Sequence, residues 1–228
     1  MSKLLAGFRM RGFTLIELLA VISIILVVAA FITPAVNGML KGGNFSKDLN
    51  ELSDCLEQAR AAAMAGNTYV WVGFLPVASN SPGNVDGINK ILVAAILGKN
   101  GQTSDLTQGT YIPLNKGRVL KFVTPQQFAP QVLQGSGRES AGVDDISASN
   151  LSGGSPYKFT QTIGQENVAA QPPTFTELIQ FGPLGNARIT PTASRWIEIG
   201  MQSSPGNPPV TGVVQINGLT GQVRVFRQ

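Results

Sequence analysis

The sequence predicts an α+β fold: a long N-terminal α-helix, membrane-spanning and then amphipathic, packed on a head made of an antiparallel β-sheet or sandwich. Three observations predict it. Residues 13–32 form an apolar run interrupted only by Thr14, Glu17 and Ser23. From Phe45 the large apolar residues recur at helical spacing, and after Gly66 the pattern changes to β-rich runs divided by turn signals. The expected organisation is a basic leader over 1–12, a helix over 13–66 and a β-rich head over 67–228. Within the helix, residues 13–32 are the span, a kink falls near 34–43 and residues 44–65 are the amphipathic half.

With 43% hydrophobic and 13% charged residues, the chain has enough apolar material to bury a core and little charge for an electrostatic partner surface. The formal charge of +4 comes mostly from Lys3, Arg9 and Arg11, ahead of the apolar run. Histidine is absent, which excludes Ser-His-Asp and Cys-His catalysis and every histidine metal site. The single cysteine, Cys55, permits no internal disulfide and reads as a small apolar packing residue. An enzyme is not expected.

At ~1.5 Å per residue the 13–32 run is long enough to cross a ~30 Å hydrocarbon layer as a helix. The cations on its N-terminal side keep that end cytoplasmic and send the rest of the chain outward. An uncleaved anchor would look like this, and so would a secretory signal cut near Val28-Ala29-Ala30. Glu17 argues against both. A carboxylate near the start of an apolar helix costs on the order of 2–3 kcal/mol in a membrane, so an acid there needs a partner.

A short basic leader ending in Gly12, followed by Phe13-Thr14-Leu15-Ile16-Glu17-Leu18, resembles the cleavage and methylation signal of type IV prepilins and of the pseudopilins of type II secretion. The resemblance implies that a prepilin peptidase cuts between Gly12 and Phe13 and methylates the new amine of Phe13. The apolar helix then stays on the mature protein. It also implies that Glu17 meets the N-terminal amine of a neighbouring subunit during assembly, and that Pro34 kinks the helix as prolines do in many pilins. The fold implied is pilin-like.

Pro34, Gly38, Gly42 and Gly43 interrupt helical periodicity, so a kink or a melted segment is expected there. Periodicity resumes with Phe45, Leu49, Leu52, Leu56, Ala59 and Ala63, while Asp48, Glu51, Asp54 and Glu57 occupy other faces. Asn44 or Ser46 can cap the start of this half and Gly66 its end. Residues 68–75 and 90–97 read as the two strands of a long hairpin, and 118–123 as a third strand. Between Gln134 and Pro156 the chain is rich in Gly, Ser, Asp and Asn and reads as a mobile surface loop. In 174–181, Phe175, Ile179 and Phe181 are expected to share one face with Glu177. In 195–201, Ile197, Ile199 and Met201 alternate with Trp196 and Glu198, as in a strand with one wet face. Residues 210–216 and 222–226 close the chain as a hairpin around 217–221, whose two glycines suit a turn needing positive φ.

This order of elements is similar to that of the minor pseudopilins that include the H-type pseudopilin of type II secretion. Locally, Ile179-Gln180-Phe181-Gly182-Pro183-Leu184-Gly185 resembles that group's strand and Pro/Gly turn. Gly218-Leu219-Thr220-Gly221-Gln222-Val223-Arg224-Val225 resembles its closing hairpin. The C-terminal half has no cysteine, unlike pilins with a disulfide-bounded loop. The resemblance implies a minor pilin or pseudopilin subunit of a type II secretion or type IV pilus-like filament. It would sit in the bacterial inner membrane with its head outside the cytoplasm. The implied partners are the prepilin peptidase, other pilin or pseudopilin subunits and inner-membrane lipid. The rival readings are an anchored or secreted β-domain that binds a ligand through the 134–156 loop, and a DNA-uptake minor pilin.

Asp144-Asp145 is the one adjacent acidic pair, and in a mobile loop it reads as solvated rather than catalytic. Together with Asn150 it follows no recognisable calcium spacing, so no metal is assigned. Gly98-Lys99-Asn100-Gly101 lacks the spacing of a phosphate loop and reads as a turn. Arg224 and Arg227 point to opposite faces and do not make a phosphate-binding patch, so nucleic acid is not expected as a partner. No cofactor is indicated.

Overall fold

The computed structural model describes residues 14–82, 84, 86–104, 106, 109–125, 137–151, 157–163, 171–203 and 210–227, with 31–42 described by backbone alone. The chain divides into two compact units, Met1–Leu40 and Lys41–Gln228. In the first, helix α1 begins at Leu15 and its apolar side chains from Leu15 to Val28 are exposed.

Helix α1 (Leu15–Ala65) is helical without a break through Pro34, Gly38, Gly42 and Gly43. The melted segment expected there is therefore absent, and neither Asn44 nor Ser46 starts a helix. A proline costs about 3 kcal/mol in a helix interior but ends it only when the flanking turns cannot continue. The bend expected at Pro34 lies in the stretch described by backbone alone. At the other end the cap is Asn67 rather than Gly66. Asn67 takes φ +46°, its N–H donates to Met64 O at 3.3 Å, and Thr68 N–H donates to Ala63 O at 3.1 Å. These two bonds are the paired closure of a Schellman motif, in which an asparagine can replace the usual glycine.

The head is built from thirteen described strands in three sheets. The first sheet has the order β10 (Ala187–Arg188), β9 (Glu177–Phe181), β1 (Val70–Val77), β2 (Lys90–Gly98), β3 (Tyr111–Pro113), with β4 (Arg118–Leu120) also on β2. The expected long hairpin is β1 and β2, in a register that pairs Val72 with Ala95. The second sheet has the order β13 (Val223–Arg227), β12 (Thr211–Asn217), β11 (Trp196–Ser203), β5 (Val123–Pro125). Here β6 (Val143–Asp145) pairs with β11 in parallel, so this sheet is not purely antiparallel as expected. Strands β7 (Phe159–Thr160) and β8 (Thr174–Phe175) form a small third sheet.

Phe45, Leu49, Leu52, Leu56, Ala59 and Ala63 are all buried, as their spacing requires. They share one core with Val70, Val72 and Phe74 of β1, Ile91, Val93 and Ala95 of β2, and Ile197, Ile199, Val214 and Ile216 of the second sheet. The alternate residues of the hairpin, Trp71, Leu92, Ala94 and Ile96, form a second core with Phe159, Ile163 and Phe175. The first sheet is thus buried on both faces, which is why β1 and β2 read as unbroken apolar runs. Gly73 makes the contact between layers possible: a Cβ there would lie 2.6 Å from Phe175 Cβ and 2.8 Å from the Phe159 ring.

Four strand expectations need correction. The single third strand is two: β4 pairs with β2 in the first sheet, and after Lys121 and Phe122 the chain crosses to pair β5 with β11 in the second. Phe175 packs in the second core with Leu178, away from Ile179 and Phe181, because Thr176 separates β8 from β9. The wet face expected on β11 is dry, with Trp196 6% and Glu198 4% exposed. It is covered by the stretch expected as a mobile loop, whose residues 137–151 hold β6, a 3-10 turn (Ile146–Ala148) and the buried side chains of Ile146 and Leu151.

Candidate processing and assembly site

Thr14 immediately precedes α1 and Glu17 sits in its first turn. The Thr14 N–H and hydroxyl each donate to Glu17 Oε2 at 2.9 Å, while the Glu17 N–H donates to Thr14 Oγ1 at 3.3 Å. This is a reciprocal capping box, which satisfies donors that every helix start leaves open. Ser23, the remaining polar residue of the run, donates its hydroxyl to Leu19 O at 2.8 Å. All three polar residues thus find hydrogen bonds within their own helix, which leaves the surrounding surface from Leu15 to Val28 apolar. The Thr-x-x-Glu spacing was legible in the sequence as a capping signature, and reading Glu17 only as a misplaced acid missed it.

Gly12 and Phe13 lie outside the described residues, and so does any geometry at the bond between them. Residues 7–33 match the family model of the prokaryotic N-terminal methylation motif. The chain carries a prepilin-type methylation motif. The match supports a type IV pilin-like protein, a prepilin processed by its peptidase and incorporated with pilin-type subunits into a filament. No curated protein and no solved structure matches the chain. Among the described residues no helix is long and apolar enough to cross a membrane, and the described side chains of the apolar run end at Ala30.

The acids of the second half of α1 attach the helix to the head. Asp48, expected on a face other than the apolar stripe, is 4% exposed, and its Oδ2 accepts the Phe122 N–H at 2.8 Å, where the chain crosses between the two sheets. Burial pushes its carboxyl above the usual aspartate range, against the opposing pull of that N–H. On the opposite flank, Glu57 Oε1 accepts the Val223 N–H of the edge strand β13 at 3.0 Å. Glu51 pairs with Arg118 of β4 at 3.4 Å. Helical spacing shows these acids as flanking the apolar stripe, but nothing local shows which backbone N–H each will meet.

Other candidate groups resolve into structural roles. Cys55 is fully buried, and burial pushes its thiol up. Asp144 is exposed, whereas Asp145 caps the 3-10 turn by accepting the Ser147 N–H at 2.9 Å. Asp145 also faces Glu177, whose carboxyl is raised by burial first and by that neighbouring charge second. Among the described residues no group of three or more His, Cys, Asp or Glu could hold a metal ion. Lys99 donates its N–H to Thr110 O at 2.8 Å and its ammonium to Gly109 O at 2.9 Å, and Gly101 takes φ +68°, so this segment is a turn. Arg224 lies 5.4 Å from the centre of the Trp196 ring, and Arg227 bonds Asn50.

One buried contact had no sequence signal. Arg138 meets Glu198 through two bonds, Nε to Oε2 at 2.7 Å and Nη2 to Oε1 at 2.6 Å, and both side chains are 5% exposed. Gln215 of β12 completes the arrangement: its Nε2 donates to Glu139 O at 2.8 Å and its Oε1 accepts the Glu139 N–H at 3.2 Å. The segment leading into β6 is thereby strapped over the outer face of the second sheet.

Proposed function

We propose that the chain is a non-enzymatic structural subunit, a minor pseudopilin or pilin of a type II secretion or type IV pilus-like filament. It is cut after Gly12, methylated on the Phe13 amine, and held in the bacterial inner membrane by residues 13–32 until it assembles. One observation carries this reading: the methylation motif over residues 7–33 continues directly into a helix whose apolar side chains are exposed and whose polar groups are bonded within it. The capping box bonds the Thr14 and Glu17 N–H groups and Ser23 bonds within its own helix, which lowers the cost of placing this stretch in lipid. It is equally suited to packing against copies of itself.

Glu17 has two tasks in this reading. Its Oε2 closes the capping box, and its Oε1, which has no partner among the described residues, is left for the Phe13 amine of a neighbouring subunit. An acid whose burial is costly alone becomes tolerable when that amine arrives, and this sets the register between subunits. Pro34 kinks the helix beyond the span, and the β-rich head forms the filament surface. Nucleic acid is not expected among the partners, because Arg224 and Arg227 are two cations rather than a patch.

The intact mass of the mature protein tests the processing. A chain beginning at methylated Phe13 is expected, and one beginning at Phe31 would refute it. Glu17→Ala is expected to leave cleavage largely intact yet impair incorporation into filaments; normal incorporation would remove the register role.

A further inference from the structure

We propose that the cleft beside the turn joining β9 and β10 is a docking site for an acidic segment of a partner protein. Arg188 receives the carboxylate, and Leu184 receives the apolar side chain next to it. The proposal concerns the head alone and holds whether or not the chain is processed after Gly12.

The cleft has a volume of about 380 Å³ and is lined by Tyr69, Gln180, Pro183, Leu184 and Arg188 among others. Its floor is built around Gln180, a polar residue only 1% exposed in the centre of β9. Gln180 Oε1 accepts the Arg188 Nε–H at 2.5 Å, its Nε2 donates to Thr103 O at 3.4 Å, and the two residues are cross-strand partners. One edge of the guanidinium is therefore locked to a buried amide.

Among the described residues neither terminal nitrogen of Arg188 has a protein partner, and no Asp or Glu lines the cleft. A fixed, half-buried cation without a counter-ion among the described residues favours an anion, and the two terminal nitrogens present the parallel donors that a carboxylate accepts in bidentate fashion. Because the buried amide already holds the fork in place, little side-chain entropy is lost on binding.

The rim explains why the carboxylate belongs to a protein segment rather than to a free small acid. Leu184, at the tip of the turn, is 90% exposed, and Leu219, on the β12–β13 turn, is 71% exposed. The two turns are tied together by Ala187 N–H donating to Gly218 O at 2.8 Å, and Gly185 sits against Met64 Sδ of α1. Single exposed leucines carry no message. Here Leu184 forms part of the cleft wall at the tip of its turn, together with Arg188, the one cation lining the cleft among the described residues, so a ligand that uses both must extend from the guanidinium onto the turn tip. An acidic residue followed by a large apolar one has that reach.

The test uses the isotopically labelled full-length chain in detergent micelles, with the backbone resonances of Tyr69 and Leu184 followed during titration. The probes are acetyl-Glu-Leu-amide, its uncharged counterpart acetyl-Gln-Leu-amide, and acetate alone. The expected result is a saturable shift with the Glu peptide that weakens about tenfold or more in Arg188→Gln and is unchanged in Lys47→Gln, an exposed control. Leu184→Ser, at the exposed turn tip, weakens the Glu peptide while leaving the acetate response intact; this arm and the Gln peptide decide the matter if Arg188→Gln fails to fold. The proposal is overturned by the absence of saturation, by equal responses to the two peptides, or by an unchanged response in Arg188→Gln. Self-association of the wild type that Arg188→Gln abolishes would also overturn it, by giving the surface to a second copy of the chain.

Discussion

Asp48 offers the sharpest test of how α1 is attached to the head, because one atom can be changed without changing the shape. Its carboxylate accepts the N–H of Phe122 at 2.8 Å, where the chain leaves the first sheet for the second, and the residue is 4% exposed. Asp48→Ala leaves that N–H without a partner, and an unsatisfied donor at such a site costs about 1–3 kcal/mol. Asp48→Asn keeps an acceptor oxygen in place and removes a charge whose burial is unfavourable, so it is expected to lie within about 1 kcal/mol of wild type, on either side. The pH dependence has a definite sign. Burial raises the folded-state pKa above the unfolded value of 3.8, so the folded protein holds this proton more tightly. Its contribution to stability is complete below the unfolded pKa and is lost as pH rises through the folded value, and Asp48→Asn abolishes that loss. Glu51 adds to the upward shift and Lys47 opposes it. The assay is equilibrium unfolding of the full chain in micelles followed by tryptophan fluorescence, since Trp71 and Trp196 both report on the head. A Tm fall of several degrees at neutral pH in Asp48→Ala, with Asp48→Asn near wild type, is expected. Equal stability of all three proteins would show that the Asp48–Phe122 bond does not help to hold the helix on the head.

Two further outcomes follow from the packing of the head. Arg138→Ala or Glu198→Ala leaves a buried charge unpaired and is expected to cost about 3–5 kcal/mol in the same unfolding assay, whereas replacing both by Met and Leu is close to neutral. Gly73→Ala drives a methyl to 2.6 Å from Phe175 Cβ, so a loss of about 1–3 kcal/mol is expected; a stabilised variant would show that the small third sheet is not packed on β1 as described.

Much of the architecture was legible locally because it depends on period. The stripe from Phe45 to Ala63, the β1–β2 hairpin and the closing β12–β13 hairpin each repeat at the spacing of their own backbone, and the structure keeps them. The closing turn shows the limit of that reading. Gly221 takes φ +65° as a turn glycine should, but Gly218 is required for another reason: a Cβ there would collide with the carbonyl of Ser194, a residue distant in sequence. Faces were harder to assign than strands. Glu198 sits at a position that alternation marks as wet, and it is dry because Arg138, sixty residues away along the chain, is strapped over it.

By itself the sequence determined the processing motif, the apolar helix that follows it, the presence of the two main hairpins and the absence of histidine chemistry. Each of these rests on residues that are close in the chain or on composition, and so survives without knowledge of the fold. Tertiary structure decided that α1 runs unbroken past Pro34 and that 118–125 divides between two sheets. It also decided that Asp48 and Glu57 meet particular backbone donors, and that the Nε–H of Arg188 is held by a buried amide. These contacts join groups far apart in sequence, and their partners are fixed by burial and by unsatisfied hydrogen-bonding groups that exist only once the layers have packed.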